Sequence, residues 1–296
     1  MDPNNTRTGN FVIVTKTGHV FGATHIEATP EGYTCHLKGL KTNLTAPELE
    51  RAYQVDPGQP AARIDPGLLS TLIWLEKGLV EFNQLHPPTQ ITIFGAGSLA
   101  FTILPDRSTN DLDTIVSDQL AAFLKDKGLP TDVEVEMLDE RLLQFLGPWA
   151  SRACQIVGPL GAALRLVHPL DTAMQKLLRY NEERFLEKDL TDIEQIILHL
   201  KPDQNTLINL LIENPARYAR LSGRFASQAD AIERNTRVFL SSFLPELTFE
   251  EIVRRTGDRA VEGATAAGLF PKTPALGMIK TDLRGQLRAS SLSDLR

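Results

Sequence analysis

Residues 91–116, ITIFGAGSLAFTILPDRSTNDLDTIV, constrain this chain more than any other stretch. An apolar run ends in Gly95-Ala96-Gly97-Ser98. A short apolar segment follows and is stopped by Pro105-Asp106, and after the polar turn RSTND a second apolar run opens with Asp111-Leu112-Asp113. Glycine and proline punctuate local structure more strongly than any other residues. The stretch therefore predicts a strand, a glycine turn, a helix of only a turn or two, and a direct return into a neighbouring strand.

Two chemistries compete for this pattern. Gly95-x-Gly97-x-x-Ala100 after a strand fits the turn of a dinucleotide-binding oxidoreductase, and Asp118 lies near the distance at which such a fold places its ribose acid. That fold needs a full crossover helix, which Pro105 forbids, and it leaves Asp111 and Asp113 without a role. In the other reading, Gly97 and Ser98 stand at a helix N-terminus, where unpaired N–H donors and the dipole favour phosphate. Asp111 and Asp113 are two apart in a strand and project to one face, so both carboxylates can meet a divalent cation against phosphate oxygens, while Leu112 points to the core.

The flanking segments organise around this centre. Residues 10–40 hold short runs of β-branched and aromatic residues broken by Thr17-Gly18 and Pro30-Glu31-Gly32, which predicts a small antiparallel meander. A short helix is expected from Leu44-Thr45-Ala46-Pro47-Glu48, then a Gly/Pro-rich connector and a helix from Asp65 to the stop at Pro87-Pro88. VEVEML at 133–138 alternates like a half-buried strand, with Glu134 and Glu136 on one face, and AALRLV at 162–167 is another strand candidate. After His168-Pro169 the pattern is helical to about Leu244, and from Arg259 it loses periodicity. The expected domains are a β-rich subdomain over 1–60, an α/β core over 61–167, a helical domain over 168–258 and a flexible tail over 259–296.

The central segment resembles the signature of the polymerase-β-like nucleotidyltransferase superfamily: an apolar strand, Gly-Ser, about a dozen residues, then Asp-x-Asp in apolar surroundings. Arg107-x-Thr109-x-Asp111-Leu112-Asp113 is similar to the small bacterial AbiEii-like members of toxin–antitoxin and abortive-infection systems. His168-Pro169-Leu170-Asp171, Lys176-Leu177 and Lys188-Asp189-Leu190-Thr191-Asp192-Ile193 resemble their C-terminal helical signature, so the likeness covers about residues 89–200. It implies an α/β (α+β) fold: a nucleotidyltransferase-type mixed sheet with flanking helices, preceded here by the small N-terminal meander and followed by a helical bundle.

The resemblance also implies roles. Asp111 and Asp113 would bind Mg²⁺ or Mn²⁺, Gly97 and Ser98 would cradle the β- and γ-phosphates of a nucleoside triphosphate, and Arg107, Lys176 and Arg179 would be nucleotide contacts. The third carboxylate expected on a nearby strand falls to Glu134 or Glu136. The implied reaction moves a nucleoside monophosphate from the triphosphate to RNA, with tRNA foremost, or to a protein, in a toxin–antitoxin or phage-defence setting with a cognate toxin or antitoxin as partner. A nucleotidyltransferase-like antitoxin without turnover and an aminoglycoside-type adenylyltransferase are the alternatives.

Bland readings stand beside these. Lys176 and Arg179 share a helix face that reads equally well as solvated, Lys188, Asp189 and Asp192 read as an ordinary helix start, and the arginines between Arg217 and Arg237 read as a solvated surface. The net charge of −6 excludes a surface coated in positive potential, and DNA is not expected as a partner. Cys35 and Cys154 have no Cys or His at metal-ligand spacing and read as reduced structural thiols. No apolar run approaches the ~18 residues that a bilayer span requires, so the expectation is a cytoplasmic protein with no membrane contact.

Overall fold

The computed structural model describes residues 6–37, 39–128, 132–138, 149–213, 226–256 and 278–290. The chain divides into two compact units, one formed by residues 1–139, 154–166 and 279–296 and the other by 140–153 and 167–278.

The first unit holds two six-stranded sheets. β1 (Thr6–Thr15), β2 (Val20–Thr29), β3 (Gly32–Leu37) and β4 (Leu40–Thr45) form the expected antiparallel meander. The short helix expected near residue 45 is a single 3₁₀ turn, Ala46–Glu48, in which the Glu48 carboxylate accepts from Thr45 N at 2.6 Å and Thr45 Oγ1 at 2.7 Å. The chain then runs as β5 (Leu49–Val55) antiparallel to β1. Alternation in that segment is partial, and Tyr53 and Val55 are buried in a core shared with helix residues such as Leu68 and Leu72, so the sequence alone did not display it.

The second sheet contains β6 (Thr92–Ile93), β7 (Asp111–Ile115), β8 (Glu134–Leu138), β9 (Cys154–Val157), β10 (Ala163–Leu166) and β11 (Lys280–Asp282), in the order β11-β9-β10-β6-β7-β8. β11 and β12 (Leu287–Ser290) lie within the stretch expected to be a flexible tail. β12 pairs with β5 and β11 with β9, so each sheet takes an edge strand from the far end of the chain. Weak local periodicity concealed these strands, because what holds them is a ladder to residues more than a hundred positions away.

The central helix α1 (Pro66–Leu85) starts where Asp65 accepts from the backbone N–H groups of Gly67 at 2.9 Å and Leu68 at 3.2 Å, with proline at the first helical position. It ends at His86, the residue before Pro87-Pro88. Leu69, Leu72, Ile73, Leu75 and Leu79 are buried in one core that also includes Val12, Val14 and Val55 of the first sheet and Ile93, Leu112 and Leu164 of the second. The helix thus anchors the N-terminal sheet to the sheet carrying the Asp-x-Asp segment. Gly22 of β2 is required for this packing, since a Cβ there would fall 2.4 Å from the backbone carbon of Pro66. α3 (Asp118–Asp126), capped by the Ser117 hydroxyl, buries Leu120 and Leu124 on the same core.

The second unit is helical in its described part: α4 (Pro169–Lys176), α5 (Glu182–Arg184), a π-helical turn over Phe185–Asp189, α6 (Leu190–Leu200), α7 (Gln204–Glu213) and α8 (Ala226–Phe243). Leu170, Met174, Phe185, Ile193, Leu210 and Phe239 are buried in it. Asn235 of α8, fully buried, donates to the carbonyls of Leu177 at 3.1 Å and Arg179 at 2.6 Å, which the end of α4 would otherwise leave unpaired. Arg152 forms a two-pronged pair with Asp171, at 2.6 and 3.0 Å, and reaches Glu213 at 3.2 Å. Residues 214–225 of the helical stretch expected to run to about Leu244 lie outside the described residues.

Candidate active site

The site residues of the first unit lie on three neighbouring strands and one short helix. β6 and β7 are antiparallel, with Ile93 opposite Thr114, and Phe94 N donates to Asp113 O at 3.1 Å. β7 and β8 are parallel and in register, Asp111 beside Glu134, Leu112 beside Val135 and Asp113 beside Glu136. Side chains alternate along a strand, and in-register neighbours share a face. Leu112 and Val135 are buried in the core. Asp111, Asp113, Glu134 and Glu136 therefore occupy the opposite face, the aspartates half-buried and the glutamates exposed.

Two local devices fix the aspartates. The Thr109 hydroxyl lies 2.7 Å from Asp111 Oδ1 and 2.9 Å from Asp111 O, which gives the threonine of the Arg-x-Thr-x-Asp segment a holding function. On the other side, Gly95 opens α2 (Gly95–Ala100) with φ +64°, and a Cβ there would stand 2.5 Å from Asp113 Oδ2. Left-handed backbone favours glycine, and so does the close approach.

Gly97 faces the core, where a Cβ would meet Leu112 Cδ1 at 2.2 Å, and Ser98 is fully buried with its hydroxyl donating to Gly95 O at 2.9 Å. Gly95 is the glycine that clears the carboxylate face. A sequence with two glycines two residues apart gives no sign of which one turns the chain, because that follows from where β7 passes. Arg107 is half-buried in the turn before β7, its backbone N–H donating to Leu104 O at 2.8 Å.

Lys176 and Arg179 lie in the second unit and are held there. Lys176 Nζ is 2.8 Å from Asp189 Oδ1 and 2.8 Å from Asp192 Oδ2, and Arg179 Nε is 3.0 Å from Asp189 Oδ2. Lys176, Asp189 and Asp192 are all buried. The solvated face that was the plain alternative for Lys176 is thus replaced by a buried ion-pair cluster, and the two aspartates read as an ordinary helix start are its partners. The π-helical turn that ends at Asp189 brings its side chain into the cluster.

Residues 70–234, more than half of the chain, match a family model described as "Nucleotidyltransferase of unknown function (DUF6036)". The chain belongs to this nucleotidyltransferase family. The matched span contains the Gly-Ala-Gly-Ser turn, all four carboxylates of β7 and β8 and the Lys176 cluster, whereas β1 to β5, β11 and β12 fall outside it. An antigenic nucleotidyltransferase-like protein from Paracoccidioides brasiliensis, known from a crystal structure, aligns with 56% of this chain and 91% of its own at 18% identity and a TM-score of 0.36. No curated protein matches the chain significantly.

The donor set on the carboxylate face suits a hard divalent cation, which takes carboxylate oxygens, and the missing Cβ of Gly95 makes room for the Asp113 carboxylate on that face. Among the described residues, no three Asp, Glu, His or Cys side chains are close enough together to hold a metal ion as they stand. No helix among them is long and apolar enough to cross a membrane.

Proposed function

We propose that the protein transfers a nucleoside monophosphate from a nucleoside triphosphate to an acceptor hydroxyl, with Asp111 and Asp113 as the ligands of Mg²⁺ or Mn²⁺. The observation that carries this reading is the pairing of two same-face aspartates with a left-handed glycine whose missing Cβ leaves room at Asp113. When bound, the divalent cation would neutralise charge that builds on the phosphate oxygens during in-line displacement. Thr109 orients Asp111, Gly95 leaves room for the Asp113 carboxylate, and Glu136, beside Asp113 in the ladder, is the nearest-registered group to accept the proton of the attacking hydroxyl. Attack on the α-phosphorus forms one P–O bond and releases pyrophosphate, so the work of the protein is positioning and electrostatics.

RNA, tRNA foremost, or a protein is the acceptor class suggested by the resemblance to toxin–antitoxin and phage-defence nucleotidyltransferases, and a cognate toxin or antitoxin is the corresponding partner. A second reading, a nucleotidyltransferase-like binding module without turnover, is favoured by one observation: the described residues show no third carboxylate converged with the first two. An acceptor of the aminoglycoside type is a third option, since an acidic face suits a polycation.

The deciding experiment supplies each nucleoside triphosphate, labelled at the α-phosphate, with Mg²⁺ or Mn²⁺ to total RNA, cell extract and aminoglycosides. Label on one acceptor class that disappears with Asp111→Ala or Asp113→Ala supports the transferase and identifies its acceptor. Folded protein that binds the triphosphate but labels nothing would leave the binding module as the better account.

A further inference from the structure

One face of the N-terminal sheet gathers metal-ligating side chains that the transfer reaction does not use. Thr8 stands opposite His25 in the β1–β2 ladder, His25 opposite His36 between β2 and β3, and His36 opposite Lys41 of β4, which makes one row across four strands. Ile26 and Cys35, the next pair along, are fully buried in the small core on the other face, so His25, Glu27 and His36 point away from that core. We propose that His25 and His36 together bind one divalent transition-metal ion, of the Zn²⁺ or Cu²⁺ class, and that the ion clips β2 to β3. The row lies outside the span shared with the nucleotidyltransferase family, and the proposal stands independently of the transfer reaction.

Cross-strand neighbours place their Cβ atoms about 4.5–5.5 Å apart, and the two imidazole rings have centroids 4.5 Å apart with planes at 76°. Nitrogens bound to one ion at about 2.0–2.1 Å stand roughly 3–4 Å from each other, a separation that these rings can supply. The rings meet edge to face. Histidine χ2 is a soft torsion, so turning one ring suffices to aim both lone pairs at a common ion. Imidazole nitrogen suits Zn²⁺, Cu²⁺ and Ni²⁺, whereas Mg²⁺ and Ca²⁺ take oxygen.

Neighbouring groups prepare the pair. Thr8 Oγ1 lies 3.4 Å from His25 Nδ1, and a hydroxyl that accepts from Nδ1–H leaves on Nε2 the lone pair that a metal needs. Glu27 Oε2 lies 3.9 Å from His36 Nε2, which sets a negative charge beside the ion. Desolvation, then repulsion from His25 and Lys41, lowers the His36 imidazole below 6.5, toward the neutral form that ligates. Among the described residues no third side chain is close enough to join the two histidines, so water completes the coordination and can donate to Glu27.

The test titrates Cu²⁺, Zn²⁺ and Ni²⁺ into the full chain in excess Mg²⁺, which fills oxygen sites, with calorimetry and, for Cu²⁺, electron paramagnetic resonance. One Cu²⁺ per chain is expected, with hyperfine splitting from two nitrogens and tighter binding than Zn²⁺ or Ni²⁺. His25→Ala and His36→Ala are each expected to weaken Cu²⁺ binding at least about tenfold, because either change destroys the chelate, with unchanged far-UV circular dichroism. His25→Gln and His36→Gln repeat the comparison with polar replacements. Asp111→Ala combined with Asp113→Ala should leave the binding intact, which separates this site from the proposed catalytic one. Absence of stoichiometric Cu²⁺ binding to the folded protein would overturn the proposal. So would binding that survives the loss of either imidazole, a signal from one nitrogen alone, or binding that disappears with the two aspartates.

Discussion

A Cβ at Gly95 would lie 2.5 Å from Asp113 Oδ2, on a backbone turned to φ +64°. One glycine thereby meets two demands, the turn out of β6 and room for a carboxylate on β7. Gly95→Ala should cost about 1–2 kcal/mol of stability from the left-handed backbone alone and reduce transfer further by displacing Asp113. Thermal melts and transfer rates measured on the same preparation check this. A variant with wild-type activity would remove Gly95 from the site.

Gly97→Ala should behave differently, because its Cβ meets the core residue Leu112 at 2.2 Å. The expected result is overpacking that lowers stability by about 1–3 kcal/mol, with activity falling only as the folded fraction falls. Pairing Gly97→Ala with Leu112→Val should recover part of the loss, and a double-mutant cycle reads the coupling.

Asp111→Asn and Asp113→Asn retain shape and remove charge. Each is expected to lower transfer by on the order of a hundred- to a thousandfold with little change in melting temperature. Thr109→Val, which removes the hydroxyl 2.7 Å from Asp111 Oδ1, should give a smaller loss in the same assay. Equal losses of activity and stability in all three variants would assign these residues to the fold instead.

Lys176→Met leaves Asp189 and Asp192 buried without their shared ammonium. Breaking a buried pair by removing one partner costs roughly 3–5 kcal/mol, so chemical denaturation should show a large drop in midpoint. Replacing Lys176, Asp189 and Asp192 together by apolar residues should be milder than the single change.

Two buried groups should tilt stability against pH in opposite directions. Burial pushes the Glu76 carboxyl up to about 7 despite N–H donors from residues 160–162, so its folded form binds a proton more readily than its unfolded form. Stability from this group is present below the ordinary value of 4.5 and is lost as pH rises through about 7, by an amount on the order of 3 kcal/mol. Glu76→Gln should flatten that limb in denaturation series between pH 5 and pH 8.

His168 tilts the other way. Burial, aided by the positive charge of Arg152, lowers its imidazole to about 4, and its Nδ1 accepts from Leu170 N at 3.2 Å only while unprotonated. Its contribution is present above 6.5 and is lost as pH falls toward about 4. His168→Asn keeps an acceptor for Leu170 N and should flatten the acid limb. Hydrogen exchange should place this effect at the start of α4 and the Glu76 effect at α1.

The sequence by itself determined what depends on neighbours along the chain. Asp65 with Pro66 starts α1 and Pro87-Pro88 ends it. Pro105 shortens the crossover, and the period of two in DLD and EVE puts each pair of acids on one face. These are capping, breaking and alternation, all set within a few residues. Tertiary structure alone decided that β8 lies beside β7 so that Glu136 neighbours Asp113, that Gly95 and not Gly97 faces the carboxylates, and that Lys176 is taken up by Asp189 and Asp192. It also decided that Leu287–Ser290 completes a sheet begun at Thr6. Each of these outcomes joins residues distant in sequence, and the free energy that selects it, from burial, ladder hydrogen bonds and ion pairing out of water, exists only once those residues have met.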